Sequence, residues 1–354
     1  MTTTVHQYIE RSSGKVRDER LYSDRLIRFI YSTVRERTPF FFRALTGAAW
    51  TQFLGLMNYD LHLGAKLTGN MKFIKQLGVD LSECVELAES LDTARKVFER
   101  KIRYWDCRPL EEDEAAIVSP ADSRVLLGSF RDTSALFIKE KFFTFDELLG
   151  DRAMWQDRFR GGDFAVFRLT PDKYHYNHMP VAGVVRDLYE IDGNYHSCNP
   201  GAVVELITPY SKNKRVVTII DTDVPGGTQC GLVAMIEVVA MMIGRIKQCY
   251  SETRYENPCD ITPGMFLRKG LPKSLYQPGS STDVLLFEHG RITFASDLLE
   301  NMGAQVQSRF SRGFVQPLVE TDIALRSLVA RRSDAAWDRT TTSTSITTHY
   351  TGAP

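Results

Sequence analysis

The chain has 354 residues, 43% hydrophobic and 25% charged, and its 44 Lys and Arg balance 44 Asp and Glu. That length can bury one large or two modest cores, and the even charge provides no field to draw in nucleic acid. Six scattered cysteines with no CxxC pair read as reduced cytoplasmic thiols; no secretory leader is apparent, and no apolar run reaches the roughly 18 residues of a membrane span.

Residues 1–22 are polar and charged and read as a flexible N-terminus. Over 23–110, Leu, Ile and Phe alternate with charges at helical spacing, which predicts a helical region. Its most apolar stretch, PFFFRALTGAAWTQFLGLM from Pro39 to Met57, fits either a buried helix pair or a surface lying among lipid headgroups, anchored by Trp50 and the phenylalanines. A helix over 93–105 stops before Arg108-Pro109, and the acidic run at 111–114 reads as a linker.

From 115 to 330 the texture is β-rich. Strands are predicted at Ala116–Val118, Arg124–Phe130, Phe164–Leu169, Val216–Ile220 and Val284–Phe287, with a short helix over Phe143–Leu149 closed by Gly150. Gly231 to Ile246 fits a buried helix or two strands by periodicity, and its β-branched residues favour strands. The Ser/Thr-rich tail, 331–354, reads as disordered.

Three polar constellations interrupt this pattern. Ser119-Pro120-Ala121-Asp122-Ser123 places a carboxylate in a tight turn. FRLTPDKYHYNHMPVAGVV, Phe167 to Val185, carries His175 and His178 three residues apart. No third metal ligand stands at a suitable spacing, so no metal site is expected. The histidines fit either a base and an acid facing a substrate, or two hydrogen-bonded surface residues. The third is KGLPKSLYQPGSSTDVLLF, Lys269 to Phe287. Its Gly279-Ser280 peptide sets a hydroxyl beside an unhindered carbonyl, which the serine can attack if a base and an oxyanion donor are supplied. Asp122, the histidines and the serine provide the parts of an Asp-His-Ser relay.

With these segments in order, the chain resembles the phosphatidylserine decarboxylase family, pyruvoyl-dependent enzymes made as self-cleaving proenzymes. The likeness runs from Phe98-Glu99-Arg100 and Arg108-Pro109, similar to the family's FxR...RP opening, through SPAD at 119–122 and KEKFFTFDELLGD at 139–151. It continues through FRLTPDKYHYNHMP, Tyr195 to Val203 and Asn213 to Asp223, and ends at the KG...GSST segment before VLLF. Ser123 stands where the family has a glycine. Lys173-Tyr174-His175-Tyr176 lacks the family's Asp before Tyr and Arg after His, and the cleavage motif carries one extra hydroxyl residue.

The resemblance implies an α+β fold, an N-terminal helical region followed by a β-rich catalytic domain, and the composition after Ala115 agrees. It implies cleavage at Gly279-Ser280, with Ser281 as the alternative nucleophile, into a β chain, Met1–Gly279, and an α chain, Ser280–Pro354. His178, held by Asp122, would take the proton of Ser280. Ser280 would become the pyruvoyl group, and His175 would return a proton after CO2 leaves. Phosphatidylserine at a membrane surface is then the substrate and phosphatidylethanolamine the product. The protein is expected at the cytoplasmic face of a membrane, peripheral, and a homodimer would be in keeping with the family. Decarboxylation of a soluble amino acid, or lipid binding without processing, are the alternatives.

Overall fold

The computed structural model of the protein describes residues 5–19, 21, 79–131, 143, 145–205, 209–240, 245–278, 281–314 and 316–334. The 39–57 stretch, most of the expected helical region and the tail from 335 lie outside the described residues. Within 79–110 the helical pattern yields only short pieces. Two 3-10 turns are followed by helices Ala94–Phe98 and Tyr104–Cys107, the first capped by the Thr93 hydroxyl.

In chain order the strands are β1 (Gln7–Glu10), β2 (Lys15–Asp18), β3 (Ala116–Val118), β4 (Ser123–Ser129), β5 (Asp163–Leu169), β6 (Tyr176–His178), β7 (Gly183–Ile191), β8 (Arg215–Asp221), β9 (Leu232–Val238), β10 (Ile246–Gln248), β11 (Phe266–Leu267), β12 (Pro272–Tyr276), β13 (Ser281–Phe287), β14 (Ile292–Phe294), β15 (Thr321–Ile323) and β16 (Leu328–Arg332). Ten form one sheet in the order β11-β7-β8-β9-β13-β5-β4-β15-β1-β2, and two three-stranded sheets run β10-β12-β6 and β14-β16-β3.

The large sheet is covered on both faces, so its central strands read as unbroken apolar runs. Along β13, Val284 and Leu286 enter one core with Val166, Ile236 and helix residues such as Trp155 and Phe310. Leu285 and Phe287 point the other way, to Phe167, Met235, Met179 just after β6, and Val329 of the β14-β16-β3 sheet. Each predicted strand is present. The one at Val284–Phe287 begins three residues earlier, at Ser281, because Ser281, Thr282 and Asp283 are paired and buried despite being polar. Gly231–Ile246 contains β9 and the start of β10, as its β-branched residues suggest.

The N-terminus departs from expectation. Instead of lying loose, β1 and β2 form a hairpin whose first strand runs parallel to β15, Ile9 opposite Thr321. Charge, not apolar area, anchors this hairpin, which is why polar composition misled. Arg168 grips Glu320 (2.5 and 2.8 Å) and Glu19 (2.7 and 3.0 Å), His6 meets Glu320 at 2.8 Å, and Arg124 pairs with Glu19. All five side chains are buried. Burial opposes ionisation of Glu19 and Glu320, yet the guanidiniums outweigh it and hold both below the usual carboxylate range. His6, Glu19 and Glu320 are close enough together to hold a metal ion, but the two arginines already neutralise the carboxylates.

Removing one member of such a cluster strands the others. Glu320→Ala is expected to cost about 3–5 kcal/mol in urea unfolding. A loss below about 1 kcal/mol, the level of a surface pair, would show that this cluster does not hold the hairpin.

Candidate active site

The turn before β4 presents Asp122 with its carboxylate buried. Oδ1 accepts from Arg108 Nε at 2.9 Å and from the Leu325 amide at 2.8 Å, while Oδ2 accepts from Arg108 Nη2 at 2.9 Å. The same guanidinium reaches Glu83 at 2.9 and 3.0 Å. Burial would raise the Asp122 carboxyl, but the Arg108 fork overrides it and keeps the acid ionised. With both oxygens engaged, the expected hydrogen bond from Asp122 to His178 does not form among the described residues. The stronger charged donor has taken its place.

His178 closes β6, its amide bound to the Pro120 carbonyl at 2.8 Å. The ring is fully buried, with Nδ1 2.9 Å from the Gly270 carbonyl and Nε2 3.1 Å from the Tyr174 hydroxyl. A carbonyl only accepts, so Nδ1 carries the proton and Nε2 is left to accept from Tyr174. That hydroxyl touches Tyr255 at 2.7 Å, and Tyr104 packs edge-on to the imidazole. Burial in this aromatic box pushes His178 down to about 3, so it is neutral at physiological pH. Gly270 aims its carbonyl from a left-handed backbone, φ +78°, where a Cβ would stand 2.6 Å from Leu110.

His175 precedes β6, fully buried and stacked on Phe98 with centroids 3.5 Å apart. Its carbonyl accepts the Tyr276 amide at 3.0 Å, but among the described residues neither ring nitrogen makes a hydrogen bond of normal geometry. Burial first, then the charge of Arg100, holds it well below the usual histidine range. It is a neutral imidazole with an uncommitted lone pair.

Gly279 and Ser280 lie outside the described residues. Ser281 opens β13 opposite Leu169, fully buried, its Oγ without a hydrogen-bond partner among the described residues. Strand alternation puts it on the face of Asp283, Leu285 and Phe287. Leu169 there packs in one cluster with Phe98, Ala121 and Tyr276. The strand partner of Ser281, the ring that stacks on His175 and the neighbour of Asp122 thus meet in one apolar wall, while His178 sits in the adjoining cluster with Tyr104 and Ile102.

One group of residues was not anticipated. Two residues along β13 from Ser281, Asp283 faces Glu237 on β9, and Glu237 pairs with Lys273 at 2.7 Å, both wholly buried. Asn177 and Gln248 each donate to Glu237 at 3.1 Å, and the Ser274 hydroxyl donates to it as well. Asp283 lies opposite Glu237 in register and accepts from the Tyr276 hydroxyl at 2.8 Å. Burial and the Glu237 charge push Asp283 well above the carboxylate range, so it is a neutral acid. The sequence does carry a signal for this network: Glu237 is the one charge in LVAMIEVVA.

A family model described as phosphatidylserine decarboxylase matches residues 94–308. A phosphatidylserine decarboxylase proenzyme of Fusobacterium nucleatum is 27% identical over 314 residues, covering 87% of this chain and 95% of its own. One from Chlamydia trachomatis is 29% identical over 314 residues, 86% of this chain and 95% of its own. Another, from Alcanivorax borkumensis, is 32% identical over 251 residues, 68% of this chain and 83% of its own.

The neutral His178 makes stability depend on pH in a defined direction. Its folded value near 3 lies below the ordinary 6.5, so the unfolded chain takes up the proton first as pH falls. The contribution is whole above about pH 6.5 and is lost on the way down to pH 3, at up to about 1.4 kcal/mol per pH unit. His178→Asn should therefore flatten the fall in urea stability between pH 7 and 5, with His175 supplying the remaining slope. An unchanged slope would place that protonation elsewhere.

Proposed function

The chain belongs to the phosphatidylserine decarboxylase family, and on that premise we propose that it is a proenzyme that cuts itself within Gly279-Ser280-Ser281 and then converts phosphatidylserine to phosphatidylethanolamine and CO2. The buried Ser281 hydroxyl supports this most directly. An unbonded hydroxyl in a dry site costs about 1–3 kcal/mol, and this one stands at the head of β13, next to the peptide proposed to be cut.

In the cut, a serine Oγ gives up its proton and attacks the preceding carbonyl carbon. The C–N bond breaks as the ester forms, and the amine takes up the proton. Loss of the serine α-proton then expels the upstream chain as a carboxylate and leaves dehydroalanine, which water hydrolyses to a pyruvoyl carbonyl with release of ammonia. The less hindered Gly279 carbonyl favours Ser280 as the nucleophile; the placement of Ser281, paired to β5 and buried beside the His175 cluster, favours Ser281. A neutral imidazole must accept the proton. His175 has a free lone pair for this, whereas His178 must first shed the Tyr174 hydroxyl. His178, locked by Gly270 and Tyr174, is suited to hold the Lys269-Gly270 end of the segment that leads through β12 to the serine.

The site fits the pyruvoyl group that such a cut creates. The strand pairing of Ser281 with Leu169 would hold the new N-terminus, and Phe98, Leu169 and Tyr276 would keep it dry. Such a group supplies a carbonyl that draws in the electron pair left by the departing carboxyl. Around it, the apolar wall excludes water, the Tyr276 hydroxyl fixes the Thr282 carbonyl at 3.0 Å, and His175 returns a proton to the carbon that has lost CO2. A diacyl substrate requires contact with a membrane surface. Among the described residues no helix is long and apolar enough to cross one, consistent with peripheral attachment.

Intact mass and denaturing electrophoresis test this. Wild type should separate into two chains, the smaller being Ser281–Pro354 with a blocked N-terminus that reacts with carbonyl reagents. Ser281→Ala should leave the chain whole and Ser280→Ala should still be cut. The reverse pattern, with a fragment one residue longer, would return the nucleophile to Ser280. A wild-type chain that stays whole and inert to carbonyl reagents would overturn the proenzyme reading.

A further inference from the structure

Arg100 follows helix Ala94–Phe98 and is only 6% exposed. Nη1 donates to the Val97 carbonyl and Nη2 to the Asp172 carbonyl, both at 2.8 Å, and among the described residues Nε donates to nothing. A guanidinium has five N–H donors, so three are unspent. The residue borders a cleft of about 590 Å³ that also runs past Arg108, Asp122, Lys173 and Tyr174.

The other cations on that wall are neutralised: Arg108 by Glu83 and Asp122, Lys173 by Asp322 at 2.7 Å, and Arg11 by Asp297 at 2.6 Å. Arg100 alone among them forms no ion pair among the described residues. A buried cation without a counterion is expensive, and truncated partners are costly for the same reason. An anion entering the cleft would find spare donors already oriented by two backbone carbonyls. Asp80 and Asp172 set the opposite sign on the same wall, which suits a headgroup carrying an amine as well as anions.

Building on the reading above, we infer that Arg100 receives the phosphodiester of the substrate headgroup. Phe98, two residues earlier, stacks on His175, so one short helix links this anchor to the imidazole. The headgroup's carboxylate is the other candidate anion, and chemistry argues against it. A guanidinium clamped on the departing carboxylate would stabilise the ground state, whose charge the reaction must disperse, and so slow the loss of CO2. The phosphodiester is unchanged from substrate to product. Holding it is uniform binding, which appears in KM and not in kcat.

Arg100→Lys and Arg100→Gln in the full-length enzyme decide the matter. Both should still yield two chains. KM for phosphatidylserine in mixed micelles should rise about 10- to 100-fold while kcat stays within about threefold. Glycerophosphoethanolamine, which has the phosphodiester but no carboxylate, should bind more weakly by the same factor, and free L-serine should bind as before. Weaker serine binding with glycerophosphoethanolamine unaffected would assign Arg100 to the carboxylate. Unchanged binding of both, or a fall confined to kcat, would leave it a structural tie between Val97 and Asp172. If the variants stay uncut, the same titration in an uncut Ser281→Ala background, with and without Arg100→Lys, separates the phosphodiester from the carboxylate in the same way. Wild type that binds glycerophosphoethanolamine through Arg100 yet does not decarboxylate phosphatidylserine would separate failure of the functional reading from failure of the anchor.

Discussion

Strand β13 is paired on both sides almost from its first residue, Ser281 with Leu169 of β5 and Thr282 with Val238 of β9. Two-sided pairing leaves that end of the strand no freedom to fray, and one residue of slip would carry every side chain to the other face. The position of the Ser281 hydroxyl is therefore set by the largest sheet in the molecule, not by the loop before it. A nucleophile that must meet one particular carbonyl needs that rigidity, since small misplacements are costly in rate.

The polar groups around Glu237 bind the two layers into one unit. Lys273 and Ser274 come from β12, Asn177 from β6 and Gln248 from β10, all in the small sheet, while Glu237 and Asp283 come from the large one. Apolar contact alone would let the small sheet slide over the large one at little cost, because apolar burial has no preferred direction. Hydrogen bonds to a single buried carboxylate allow one register only. Buried ion pairs are poor sources of stability compared with apolar packing, and their use here is best understood as fixing where the histidine strand lies relative to β13. Keeping Asp283 neutral follows from the same crowding, since two carboxylates facing each other across one strand pair do not both ionise with a single lysine to share.

Much of the fold was legible because its central strands are buried on both faces and announce themselves as apolar runs of the right length. The parts that were not legible share one physical cause: polar side chains that are buried because they are paired. His6, Glu19 and Arg17 made the N-terminus look solvated, although two of the three lie in or beside the charge cluster on Arg168 and only Arg17 faces water. Ser281 to Asp283 hid the start of β13 in the same way. For the site, the residue types were readable and the pairing was not. An Asp, two His and a Ser suggest a relay, but whether Asp122 holds an imidazole or an arginine depends on Arg108, fourteen residues away, and on the Leu325 amide far along the chain. Periodicity carries no information about such long-range partners.

The topology would also let the chain undergo the proposed cut without coming apart. Everything after residue 280 that the structure describes is woven into the remainder: β13 lies between β9 and β5, β15 lies between β4 and β1, and β16 pairs with β3. On the other side of the cut, β12 stays fixed between β10 and β6. Breaking the backbone between β12 and β13, as proposed, would remove a tether from two strands already held in different sheets, so the packing would have no reason to change and the new terminus would stay where the hydroxyl was. The same weave orders events in time. The serine is placed only when β5 and β9 flank it, and β9 is fastened to the histidine-bearing layer through Glu237. On the proposed reading, the chain must therefore finish folding before the cut.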